Sequence, residues 1–124
     1  MNKARLVFNA AGTVGLAILL PLYFLFEKTG RDFPPAITHP EYYYGFAGVA
    51  VAWQIAFLLI ARDPVRYRPF MIPAIVEKFS FGIAALVLLA QRRIPGPALA
   101  GGILDLFWGM LFLIAFLRWT PASR

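Results

Sequence analysis

The chain has no cysteine among its 124 residues. Disulfides, thiolate metal sites and cysteine nucleophiles are therefore excluded. It has one histidine, His39, which leaves no bis-imidazole haem and no histidine-rich metal site within one chain. Charge is scarce too. Only 15% of the residues are Asp, Glu, Lys or Arg, against about 25% in soluble domains. Acids are the scarcer sign, six against twelve Lys and Arg, so the formal charge is +6. What remains is apolar, 60% of the chain. That is too much for a disordered segment or an ordinary soluble domain.

The apolar residues gather into four runs, about 6–26, 43–61, 70–90 and 98–117. Each approaches the roughly 20 residues that carry a helix across a ~30 Å hydrocarbon core. None alternates as a membrane β-strand would, and backbone in lipid must satisfy its own hydrogen bonds. The expected fold is an all-α membrane protein, an antiparallel bundle of four transmembrane helices forming one domain over residues 1–124. The punctuation agrees. Residues 27–41, with Gly30, Pro34, Pro35 and Pro40, read as a loop. Pro40 and Glu41 suit a first helical turn. Asp63-Pro64 and the segment from Arg92 to Pro97 read as turns, with Asp63 capping. Pro21 and Pro73 lie inside runs and predict kinks. Lys3 and Arg5 precede the first run as in a signal peptide. That run is longer than a signal's apolar core and lacks a small-residue cleavage site after it, so an uncleaved span is expected.

Lysine and arginine in the loops set orientation. Lys3, Arg5, Arg62, Arg66, Arg68, Arg118 and Arg124 fall on one side, and Lys28, Arg31, Arg92 and Arg93 on the other. Seven against four places both termini in the cytoplasm, with a bacterial inner membrane as the expected location. Tyr42, Tyr43 and Tyr44 then anchor the outer interface and Trp119 the inner one. Arg62, Arg66 and Arg68 are candidates for docking anionic lipid or an acidic partner. The basic residues are scattered, so nucleic acid is not an expected partner.

Three ionisable residues interrupt the runs: Glu77 and Lys78 in the third and Asp105 in the fourth. Gln54 in the second and Asn9 in the first are neutral companions. Charges at membrane depth are costly and face protein or water. At ~1.5 Å per residue, Gln54, Glu77 and Lys78 share a depth about 10–12 Å from the inner end, and Asp105 lies about 6 Å further on. A lysine stem covers that gap. A Lys78–Asp105 pair between the third and fourth spans is therefore expected, with Glu77 turned toward Gln54. Pro73, Glu77, Ser80, Ala84 and Gln91 form a stripe expected to face the interior. Gly101, Asp105 and Gly109, at i+4 spacing, read as a seam for close helix packing. Gly45, Gly48, Ala52 and Ala56 read as a second. Trp53 and Trp108 are candidate pocket aromatics.

Other chemistry has less basis. His39 has no ligand partners at metal spacing. Ser80 and Ser123 have no histidine base nearby. Gly12-x-x-Gly15 lacks a phosphate-loop context and reads as a helix contact. No cofactor is expected, and an intramembrane enzyme is the least supported class. Two readings remain. One is a non-catalytic subunit packing against itself, as a homo-oligomer, or against a larger membrane complex. The other is a binder or transporter of a hydrophobic or cationic small molecule, such as a lipid, quinone or lipophilic cation, using Glu77 and Gln54.

In layout the chain resembles small four-helix bacterial membrane proteins of the DoxX-like type. The likeness lies in the second span's opening Tyr42-Tyr43-Tyr44-Gly45-Phe46, the Arg62-Asp63-Pro64 turn, and an acid among glycines from Gly101 to Gly109. The resemblance implies the four-helix fold and no particular activity.

Overall fold

A computed structural model describes residues 2–122, which are mostly helical with no strand among them. Arg124 and Ser123, part of the charge count and the nucleophile search above, lie outside the described residues. Helix α1 spans Lys3–Leu19. It starts where the Asn2 side chain accepts the Arg5 N–H at 3.2 Å, an N-cap that satisfies an otherwise free donor. Pro21 has no N–H to give Ala17, and the chain tightens there into a 3-10 turn, Leu20–Phe24. Helices α2 (Phe26–Asp32), α3 (Pro40–Arg62), α4 (Met71–Ala90) and α5 (Leu99–Ile114) follow. A 3-10 turn, Arg68–Phe70, leads into α4, another, Gly96–Ala98, leads into α5, and a π-helical turn, Ala115–Trp119, extends α5. With these extensions four helices are long and apolar enough to cross a membrane: Lys3–Phe24, Pro40–Arg62, Arg68–Ala90 and Gly96–Trp119.

Three local expectations need correction. The segment after the first run is not all loop, because Phe26–Asp32 is helical. Its prolines all come later, Glu27 and Arg31 sit at the dipole ends they favour, and Lys28 pairs with Asp32 one turn on. Pro73 interrupts nothing. It lies in the first turn of α4, where backbone N–H groups have no intrahelical partner to lose. The interior stripe of α4 is also not the polar one. Ser80, Ala84 and Gln91 are exposed, and the buried positions are Met71, Ala74, Lys78, Gly82 and Ala85. The close approach of α5 selects the small residues Gly82 and Ala85, and the stripe that contains them includes Lys78 rather than Glu77.

The turns behave as expected. Asp63 Oδ1 accepts the Arg66 N–H at 3.3 Å. After α4, Arg92 adopts φ 58°, while the Arg92 N–H donates to Leu89 O and the Arg93 N–H to Leu88 O. This is a Schellman cap with arginine where glycine is usual. Tyr43 Oη donates to Leu22 O at 2.7 Å, tying the start of α3 to the end of the first span.

The helices pack as two pairs, α1 with α3 and α4 with α5. Glycines bring each pair close. A Cβ on Gly12 would stand 2.8 Å from the Gln54 carbonyl oxygen, and one on Gly82 would stand 2.5 Å from Leu106 and 3.0 Å from the Gly102 carbonyl oxygen. The two pairs meet mainly at one end. There Phe8 stacks on Phe112 with centroids 4.2 Å apart, and Phe57 meets Phe112 edge-on at 4.9 Å. Ala4, Ala11, Ile60, Met71 and Ala115 close around them. This is the closed end, built from the starts of α1 and α4 and the ends of α3 and α5. Toward the other end the buried residues of α3, α4 and α5 are small: Ala47, Ala50, Gly82, Ala85 and Gly102. Phe46 and Phe81, from different pairs, face each other at 6.2 Å.

Candidate functional site

Where the two pairs part, just beyond the aromatic core, a cavity of about 190 Å³ opens between all four long helices. Its walls are mostly apolar: Val14, Ile18 and Leu22 from the first span, Phe46 and Ala50 from α3, Phe81 from α4, and Leu104 and Trp108 from α5. Into it α3 brings Gln54, α4 brings Glu77 and Lys78, and α5 brings Asp105. Four of the five polar residues picked out in the sequence therefore share one cavity.

Lys78 is 4% exposed. Its Nζ stands 3.5 Å from Asp105 Oδ1 and 3.8 Å from Glu77 Oε2. Below, the same ammonium lies 5.1 Å from the centre of the Phe57 ring, within cation–π range. The core aromatic is thus the floor of the site. The pairing differs from expectation at Glu77, which shares Lys78 with Asp105 and makes no hydrogen bond to Gln54. Two carboxyl groups face one ammonium, which gives the cluster a formal excess of one acid.

Gln54 is 1% exposed. Its Nε2 donates back to Ala50 O at 2.9 Å, so its Oε1 faces the other way. That oxygen lies over Gly15, where a Cβ would stand only 2.0 Å from it. Gly15 is a glycine because the amide occupies its side-chain space. Gln54 Oε1 and Glu77 Oε2 are both buried without a hydrogen-bond partner. A buried acceptor left unmade costs about 1–3 kcal/mol; Glu77 Oε2 has the Lys78 ammonium at 3.8 Å, whereas Gln54 Oε1 has no donor.

Glu77, Phe46, Ala50 and Phe81 also line a second, more open recess of about 520 Å³ between α3 and α4, with Gly45, Val49, Trp53 and Ser80. Glu77 therefore stands between the inner cavity and a lateral groove. The two candidate tryptophans part here: Trp108 lines the cavity and Trp53 the groove.

The remaining sequence candidates fall elsewhere. On α5 the closely packed glycines are Gly102 and Gly109, whose added Cβ atoms would stand 2.6 Å from Ala85 and 3.1 Å from Phe79, whereas Gly101 has only an ordinary contact at 3.5 Å. Gly102 is the tight position because it faces the Gly82–Ala85 stripe, one residue round from Gly101. A Cβ added to Gly48 would stand in ordinary contact with the Tyr23 hydroxyl at 3.4 Å, and one on Gly45 would face open space. Asn9 is exposed and takes no part in the site. Arg68 is spent inside the chain. Its guanidinium donates to Phe116 O at 2.8 Å and Thr120 O at 3.2 Å and lies 3.8 Å from the Phe116 ring centre. Both carbonyls lie at the C-terminal end of this helix, where carbonyls have no intrahelical partner, and Arg68 satisfies them. Arg62 and Arg66 are exposed.

Sequence reasoning missed the wall that the first span supplies. Val14, Ile18 and Leu22 recur every four residues, the spacing of one helical face, but so do many apolar sets in a run apolar on every side. Among the described residues no group of three His, Asp or Glu side chains could hold a metal ion. Compared with protein-family models, curated proteins and solved structures, the chain gives no match.

Proposed function

We propose that the four long helices cross a bacterial inner membrane as an antiparallel bundle, both termini cytoplasmic, and that the chain binds a small cationic amphiphile between them. In this reading the closed end lies toward the cytoplasm, where Arg62 and Arg66 meet anionic headgroups. The cavity opens toward the outer half, and the α3–α4 groove gives a ligand a lateral way in from lipid. The observation that carries the reading is the polar cluster itself. Two carboxyl groups share one ammonium at the wall of a cavity otherwise apolar, a place that attracts positive charge on an apolar body.

A test is equilibrium titration of the protein in lipid nanodiscs with butylammonium and butyltrimethylammonium, with butanol as the neutral control. The expected result is a saturable rise in unfolding temperature with at least one cation and none with butanol. The same response to butanol, or no saturable response to either cation, overturns the reading. The alternative is a non-catalytic subunit: α4 and α5 use the Gly102 and Gly109 positions between themselves, which leaves the Gly45, Gly48, Ala52 and Ala56 seam, where a Cβ on Gly45 would face open space, as the face for a partner. Co-purification of a stoichiometric partner from native membranes would favour that alternative.

A further inference from the structure

We propose that the cavity selects ammonium ions that carry N–H donors, short primary alkylammonium ions above all, over quaternary ammonium ions of the same chain length. This rests on the reading of the cavity as a cation site and narrows its ligand class.

Three observations converge. First, the structure already seats one primary ammonium there: Lys78 Nζ, between Asp105 at 3.5 Å and Glu77 at 3.8 Å. A primary alkylammonium head is thus compatible with the site's geometry. Second, that head does not exhaust the acceptors. Gln54, 1% exposed, lines the cavity and its Oε1 has no hydrogen-bond partner; Glu77 Oε2 has only the Lys78 ammonium, at 3.8 Å. Of the two kinds of ammonium ion, only one with N–H groups can donate to the Gln54 oxygen. A quaternary ion is attracted by the excess carboxyl but leaves the Gln54 acceptor unmade, and a site built for donors rejects an analogue that lacks them. Third, about 190 Å³ bounded by apolar side chains has room for a chain of a few carbons beside the head. Val14, Ile18 and Leu104 offer such a chain dispersion contacts.

Gln54 supplies the discriminating acceptor. Its Nε2 is fixed by Ala50 O, so the amide cannot turn to offer Oε1 elsewhere without losing that bond. It is a specificity-determining residue, whereas Glu77 and Asp105 supply the attraction that any cation feels.

The test compares Kd for butylammonium and butyltrimethylammonium in nanodiscs by calorimetry, with wild type and Gln54→Leu. The expected wild-type result is primary over quaternary by about tenfold or more. In Gln54→Leu the preference collapses toward unity while the quaternary ion still binds. Equal wild-type affinities, or a preference that survives unchanged in Gln54→Leu, overturn the selectivity and leave the cation site standing. Absence of saturable binding by either ion overturns the cation site itself. Should Gln54→Leu fail to fold, the wild-type ratio alone decides.

Discussion

The two ends of this molecule are built from the same kinds of residue and packed in opposite ways. At the closed end Phe8, Phe57 and Phe112 are fully buried and touch one another across both helix pairs. At the open end Phe46 and Phe81 are 49% and 42% exposed and only approach each other. Ring stacking is worth about 0.5–1.5 kcal/mol beyond area. The closed end therefore holds the pairs together, and the open end is free to contain a cavity. The charged residues lie at the boundary, where Phe57 supports Lys78 from below and nothing fills the space above.

The comparison breaks first at its aromatic centre. Phe57→Ala should cost about 3–5 kcal/mol, the range for emptying a large core site. Phe46→Ala should stay within about 0.5 kcal/mol. Both are read from denaturant unfolding in one detergent, and equal costs would mean that the ends are packed alike. The boundary is tested next. Lys78 has two carboxyl partners, so Asp105→Asn or Glu77→Gln alone should cost at most about 2 kcal/mol. The double variant, which strands the buried ammonium, should cost about 3 kcal/mol or more. Additive small losses would show that Lys78 does not depend on them. The glycines give the smallest effects. Gly12→Ala drives a Cβ to 2.8 Å from the α3 backbone and should destabilise by about 1–3 kcal/mol. Gly45→Ala meets nothing within 4 Å and should stabilise by about 0.5–1 kcal/mol through helix propensity. Thermal unfolding of both variants measures the difference in sign.

Much of this was legible in the sequence. The four apolar runs name the four long helices to within a few residues, and the three ionisable groups with Gln54 name the polar side of the cavity. The face each helix turns inward was less legible. In a run apolar all round, periodicity carries little signal, and the polar stripe of α4 through Ser80 and Gln91 pointed outward. Gly101 and Gly102 stand side by side in the sequence, and only the position of Ala85 on the neighbouring helix tells which one must be small. Arg68 looked like its exposed neighbours Arg62 and Arg66. What sets it apart is the π-helical turn that brings the Phe116 and Thr120 carbonyls to it from 48 and 52 residues away.

The sequence alone determined how many long helices there are, where they begin and end, and which few side chains carry charge among them. Those properties are local: a stretch of apolar residues, a proline without its N–H, a carboxyl group. The tertiary structure decided that the helices pair two by two and join mainly at one end. It also decided that one lysine answers two acids and that an amide oxygen is left without a donor beside them. Those are relations between distant segments, set by where small side chains let backbones approach and where large ones hold them apart.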